Sequence, residues 1–335
     1  MRGVLRRLLG GVFVSLCLVQ TLPLALVSDA AARDVTPGVV YAVGEKFDRS
    51  FNESAYRAHE RFSAAHGVSY LEYHPTQPAE IERAVDSLVR RGADHISVVG
   101  YYYAQPLAEI APHYEGVNFT LIDAVAEAPN VRSVTFREEE GCFLVGMIAA
   151  LASETQKVGF IAALDIPLLR KFIAGFEQGV RFVLPDIVFR LNFIGATESA
   201  FNDVTTAAEL ARVQYGGGVD VIFAGAGNAN MGVFQVAADM GRLAIGVDAN
   251  QNGLFPGTIL TSMLKRVDVA VLEALEDDLA DKWTPGRRSL GLAEGGVDWA
   301  LDENNAPLIT ERMKEMTAHA RKAIVDGDLL VDDGR

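Results

Sequence analysis

Along residues 38–248, short apolar runs rich in β-branched residues alternate with longer stretches whose apolar positions recur every three to four residues. The first kind suits strands buried on both faces and the second suits helices with one buried side. Their alternation is the signature of parallel sheets covered by helices. Strands are predicted at 39–43, 68–73, 96–99 and 119–123, with helices at 51–66, 79–91 and 106–114 between them. A second set follows, with strands at 158–162, 187–193, 219–223 and 244–247 separated by helices at 167–182, 203–215 and 229–240. Each set has the make-up of one Rossmann-like half. Between them Phe143, Leu144, Met147, Ile148 and Leu151 recur at helical spacing behind Glu138, Glu139 and Glu140. Three glutamates at a helix start suit the helix dipole, and their simplest reading is a solvated first turn. The tail predicts a helix at 265–281, a break at Trp283-Thr284-Pro285-Gly286, a short strand at 295–300 and a last helix at 309–325.

No Pro- or Ser-rich linker separates the halves, which favours two lobes joined by several short crossings over tandem domains. Residues 36–136 with 249–283 are expected to form one lobe, and 137–248 with 284–330 the other. In such sheets ligands bind beyond the carboxyl ends of the strands. The loops after Val43, Val99, Ile122, Ala163, Ile194, Ala224 and Val247 should therefore converge on one cleft.

Composition adds compartment and partner. A chain of 335 residues that is 50% hydrophobic and holds 31 glycines can bury a large core. Residues 1–32 carry Arg2, Arg6 and Arg7, an apolar run from Leu8 to Val27, and Ala30-Ala31-Ala32 as a cleavage site. Those are the parts of an export signal, with an uncleaved N-terminal anchor as the alternative. Cleavage near Ala32 leaves 27 basic against 43 acidic residues, a net charge of −16. So acidic a surface argues against nucleic acid or anionic lipid as a partner. Cys142 is then the sole cysteine, expected as a packed, inert thiol. The six histidines have no metal-ligand spacing, and no G-x-S-x-G, H-E-x-x-H, P-loop or C-x-x-C occurs, so neither catalysis nor a metal or other cofactor is expected.

The phrases FREEEG (136–141), KVGFIAALDIPLLRKF (157–172) and GFEQG (175–179) resemble the basic membrane protein family, the purine-nucleoside-binding receptors of bacterial ABC transporters. The resemblance covers nearly the whole mature chain. It implies an α/β, type I periplasmic binding protein fold: two Rossmann-like lobes with parallel sheets joined by several crossings. It also implies a non-enzymatic receptor that captures a purine nucleoside or related purine compound and delivers it to a permease in the inner membrane, with a free base or sugar as the alternative ligand and a periplasmic ligand sensor as the alternative role. Many members are lipoproteins; here Cys17 follows the bulky Leu16, so a free periplasmic protein is expected.

The resemblance assigns the site residue by residue. The loop GEKFDRSFNESAY (44–56) resembles the family's SFN loop, in which Phe51 stacks on the base while Asn52 and Asp48 lie at its edge. On the residues alone, Asn52 or Ser50 would cap a helix and Phe51 would pack beneath it. The segment GATESAFND (195–203) places Phe201 as the facing aromatic, with Phe193 as the alternative, and Phe172 as a further pocket or core ring. Asp123, in LIDA, matches a strand-end aspartate, while Asp248 and Lys265 match the pair that grips the ribose. A carboxylate accepts from vicinal hydroxyls and an ammonium donates to them. Gly227, in AGAGN, would offer its backbone N–H to a ligand oxygen. Tyr101, Tyr102 and Tyr103 would line the cleft mouth or cover the rim. One departure stands out: Ala42 occupies the end of the first strand where the family usually has an aspartate.

Overall fold

The computed structural model describes residues 34–334, so the expected signal segment and Cys17 lie outside the described residues. The first half runs β1 (Pro37–Val40), α1 (Phe51–His66), β2 (Leu71–Tyr73), α2 (Ile81–Arg90), β3 (His95–Val99), α3 (Ala104–Ile110), β4 (Asn118–Ile122) and β5 (Val131–Phe136). The second runs α4 (Glu138–Ala152), β6 (Lys157–Ala162), α5 (Pro167–Val183), β7 (Val188–Phe193), α6 (Val204–Gly216), β8 (Val221–Gly225), α7 (Asn230–Asp239) and β9 (Leu243–Asp248). The tail adds β10 (Ile259–Lys265), α8 (Val267–Leu279), β11 (Gly286–Leu290), β12 (Val297–Trp299) and α9 (Glu311–Asp326).

Two six-stranded sheets result, in the orders β11-β5-β4-β3-β1-β2 and β12-β10-β9-β8-β6-β7. Every pairing is parallel except β10 with β12. The inner strands are apolar throughout because helices cover both faces: every residue of β3 and β8 is buried. On the flanking helices one side is apolar; in α2 the buried residues are Ile81, Ala84, Val85 and Leu88, the three-to-four spacing of a single face.

The tail divides differently from the sequence-based boundaries. Residues 249–283 were assigned to the first lobe, yet β10 lies in the second sheet beside β9. Residues 284–330 were assigned to the second, yet β11 closes the edge of the first sheet beside β5. Both misplacements trace to strands with polar interiors. In β10, Thr261 Oγ1 donates to the Ala300 carbonyl at 2.8 Å and Ser262 Oγ to Asn252 Oδ1 at 2.9 Å, which satisfies hydroxyls buried in a central strand. β11 is a polar edge strand, four of whose five residues are exposed. β5 was missed for a similar reason: Arg132 is buried within it and its Nη1 lies 2.7 Å from Asp277 Oδ2. The chain thus crosses between the sheets after β5, after β10 and after β11.

Helix α4 stands at the first crossing and is apolar nearly all round. Phe143, Leu144 and Met147 pack into the core of the first sheet, while Cys142, Val145, Ile148 and Ala149 pack into that of the second. Burial pushes the Cys142 thiol well above its usual range, as expected of an inert thiol. Helix α5 crosses α4 at backbone contact. A Cβ on Gly146 would lie 2.3 Å from the Phe176 carbonyl oxygen, and one on Gly179 would lie 2.0 Å from that of Phe143.

Candidate functional site

The carboxyl ends of the parallel strands face one cleft. Its lining comes from the residues after β1, β3, β4, β7 and β8, from the first turn of α5, and from the ends of β9 and β10. The space within it is about 770 Å³, counted together with the part open to solvent. All nine residues singled out in the sequence line it: Asp48, Phe51, Asn52, Asp123, Phe172, Phe201, Gly227, Asp248 and Lys265. Phe193 does not; the Arg170 guanidinium lies over its ring, 5.3 Å from the centroid.

Lys265 is the centre of the polar set. It ends β10, rather than starting the helix expected at 265–281, because α8 begins only at Val267. Its side chain is 2% exposed, with Nζ 2.6 Å from Asp123 Oδ2 and 3.1 Å from Glu138 Oε1. The rings of Phe51, Phe136 and Phe172 surround the same ammonium, their centroids 5.1, 5.2 and 5.5 Å away. Burial works against the charge, yet Asp123, Glu138 and Asp248 together raise the lysine pKa above its ordinary value. The ammonium is therefore held in its charged form around neutral pH. Burial also pushes the Asp123 carboxyl up to about 6, with Lys265 opposing and the nearby Glu138 and Asp248 adding to the rise.

The two strand-end aspartates occupy matching places. β4 and β9 are each third from one end in the order of their sheets. Asp123 follows β4 with φ +77°, and Asp248 ends β9 with φ +65°. Left-handed backbone is costly for any residue with a Cβ and least so for Asp and Asn, and such strain gathers at functional sites. Asp248 Oδ2 accepts from Ser50 Oγ at 2.5 Å, a hydrogen bond from the first lobe to the second. It forms no direct ion pair with Lys265. One oxygen of Asp123, Oδ1, is buried without a hydrogen-bond partner among the described residues.

The glutamate run is not a solvated turn. Glu138 is fully buried and Glu139 nearly so. Glu138 holds Lys171 of α5 through Oε2 and Lys265 through Oε1, and Lys171 also donates to the Phe136 carbonyl. The run sits where the chain leaves the first sheet, so the two lysines of the second lobe meet it there. No signal in the sequence distinguishes this from a surface turn.

Asp48 and Asn52 line the cleft while their polar atoms serve the loop. Asp48 accepts from the backbone N–H groups of Ser50, Asn52 and Glu53 at 2.8, 2.9 and 3.1 Å, capping α1 in place of the expected Ser50 or Asn52. Asn52 accepts from the Ala42 N–H and donates to the Ala42 and Glu45 carbonyls, fixing the backbone where β1 ends. Gly227, at φ +57°, opens the turn before α7, and the space over its Cα faces Phe201.

At the mouth Tyr101 Oη donates to Glu198 Oε1 at 2.5 Å, joining the loop after β3 to the loop after β7 across the cleft. Tyr102 Oη accepts from the Val43 N–H at 2.6 Å, and Tyr103 is fully buried. Sequence reasoning missed Ser50 as a partner of Asp248 and Glu198 as a partner of Tyr101. Elsewhere His95 is buried within β3, with Nδ1 2.7 Å from Asp278 Oδ2. It supports the packing of α8 away from the cleft. Among the described residues no cluster of His, Cys, Asp and Glu could hold a metal ion.

Known proteins resemble this chain in sequence and fold. The chain is 28% identical over 326 residues, 89% of either chain, to a protein of Lactococcus lactis named ABC transporter nucleoside-binding protein. It is 31% identical over 287 residues to an uncharacterized lipoprotein of Pyrococcus furiosus, covering 80% of this chain and 71% of that one. Among solved structures, an ABC transporter solute-binding protein of Aeropyrum pernix superimposes with a TM-score of 0.79 at 28% identity, over 89% of this chain and 94% of that one. The fold is accordingly that of type I periplasmic solute-binding proteins. The family model for PnrA-like ABC transporter substrate-binding proteins, Bmp, matches residues 36–328, and the chain belongs to that family.

Proposed function

We propose that this substrate-binding protein captures a purine nucleoside between its lobes and presents it to the permease of an ABC transporter in the inner membrane, as a free periplasmic protein that begins near Arg33. One observation carries the reading: three aromatic rings and two strand-end aspartates surround a single buried lysine. A flat base gains about 0.5 to 1.5 kcal/mol from an aromatic face beyond the area it buries, and Phe51 and Phe201 supply those faces. The unpartnered Asp123 Oδ1 and the carboxylate of Asp248 accept from ribose hydroxyls, and Lys265 donates to a ribose oxygen. The printed name of the Lactococcus lactis relative supports the same ligand class.

Calorimetry of residues 33–335 with adenosine, guanosine, inosine and the corresponding bases tests this. Nucleosides should bind more tightly than bases. A base or a free sugar that outcompetes every nucleoside would replace the reading with another ligand in the same cleft, for which Ala42 leaves room. Mass spectrometry of the native protein checks the start near Arg33; a diacylated Cys17 would overturn the free periplasmic form.

A further inference from the structure

The ionisable residues lining the cleft are one-sided. Glu45, Asp48, Asp123, Glu198 and Asp248 face it against Lys265 alone. That one ammonium is already engaged by Asp123 and by Glu138 behind it. Asp48 is offset by three backbone N–H groups at the start of α1. Asp248 and Glu198 receive only hydroxyl hydrogen bonds, from Ser50 and Tyr101, and among the described residues no Lys or Arg lies within 4 Å of either, or of Glu45.

From this charge distribution we infer that the cleft selects against anions: a nucleoside that still carries a phosphate ester is rejected by charge, not by size. The inference rests on the nucleoside reading above. A phosphate monoester carries about −1.5 to −2 at pH 7, and apart from Lys265, which Asp123 and Glu138 already hold, no side chain lining the cleft offers the cationic or bidentate contacts that phosphate recognition uses. The carboxylates lining the cleft repel it, and the low dielectric of a closed cleft strengthens the repulsion. The chain therefore acts downstream of a hydrolytic step that removes phosphate from nucleotides, with water as the acceptor of the phosphoryl group.

The test compares three forms of one nucleoside by calorimetry: the nucleoside, its 5′-monophosphate, and its 5′-O-sulfamoyl derivative, which is neutral and of similar tetrahedral shape. The monophosphate should bind at least 100-fold more weakly than the nucleoside, and the sulfamoyl compound within tenfold of it. In the double variant Glu45→Gln, Glu198→Gln the ratio of the two dissociation constants, monophosphate over nucleoside, should fall at least threefold. A monophosphate that binds within tenfold of the nucleoside overturns the inference. So does loss of the sulfamoyl compound alongside it, which would mark a steric wall. If no nucleoside binds at all, it is the underlying reading that fails.

Discussion

Lys265 is held by opposite charges that it in turn makes tolerable. Removing its ammonium in Lys265→Met would leave Asp123 buried without a cation and Glu138 with Lys171 alone, and breaking a buried pair from one side costs about 3 to 5 kcal/mol. Urea unfolding of the ligand-free variant should show that loss. Asp248→Asn keeps the shape and removes the charge, so nucleoside affinity should drop about tenfold to hundredfold, the equivalent of one hydrogen bond to a charged group. Binding of the bare base should stay nearly intact; equal losses in calorimetry would place the carboxylate at the base instead. Acid separates stability from affinity. The Asp123 carboxyl is raised from 3.8 to about 6, so the folded chain holds that proton more tightly than the unfolded chain. Its stabilising contribution is complete below pH 4 and is lost as pH rises through 6. Nucleoside affinity should move the other way, falling as pH drops through about 6, and Asp123→Asn should flatten the profile. The place of Asp123 and Asp248 in the cleft was legible because strand ends in such a sheet face it. Glu138 was not, since burial of a charged first turn depends on lysines 33 and 127 positions away.

Among the elements, the pair α4 and α5 sets how closely the second lobe approaches the first. Gly146 and Gly179 let the two backbones touch, and Gly179→Ala would press a methyl group against the Phe143 carbonyl. Overpacking of this kind costs about 1 to 3 kcal/mol, so the variant should melt lower. An unchanged melting temperature would show that the helices part freely. The alternation of apolar runs and helical periods located both helices, because each buries a broad apolar side. It did not reveal the glycine contact, which follows from the crossing geometry. β5, β10 and β11 escaped for the opposite reason: Arg132, Thr261, Ser262 and Arg287 carry polarity into strands whose place in the sheets comes from distant partners.

At the scale of the molecule, the Tyr101–Glu198 hydrogen bond closes the cleft between loops nearly a hundred positions apart. Tyr101→Phe removes it, and one hydrogen bond to a charged acceptor, about 1.5 to 3 kcal/mol, should appear mainly as faster ligand release in stopped-flow measurements. An unchanged release rate would mean that the lobes are held elsewhere. The two-lobed architecture was legible from the repeat of strands and helices without a linker; the tail was not, since nothing local tells a crossing strand which sheet it joins. The path of that tail also orders events in time. The first sheet needs β11, residues 286–290, to cover the edge of β5, and those residues are among the last fifth of the chain to emerge during synthesis. Until then that edge stays open. Pairing so far apart in sequence is slow to form. The nascent chain therefore has no finished first sheet until it is nearly complete.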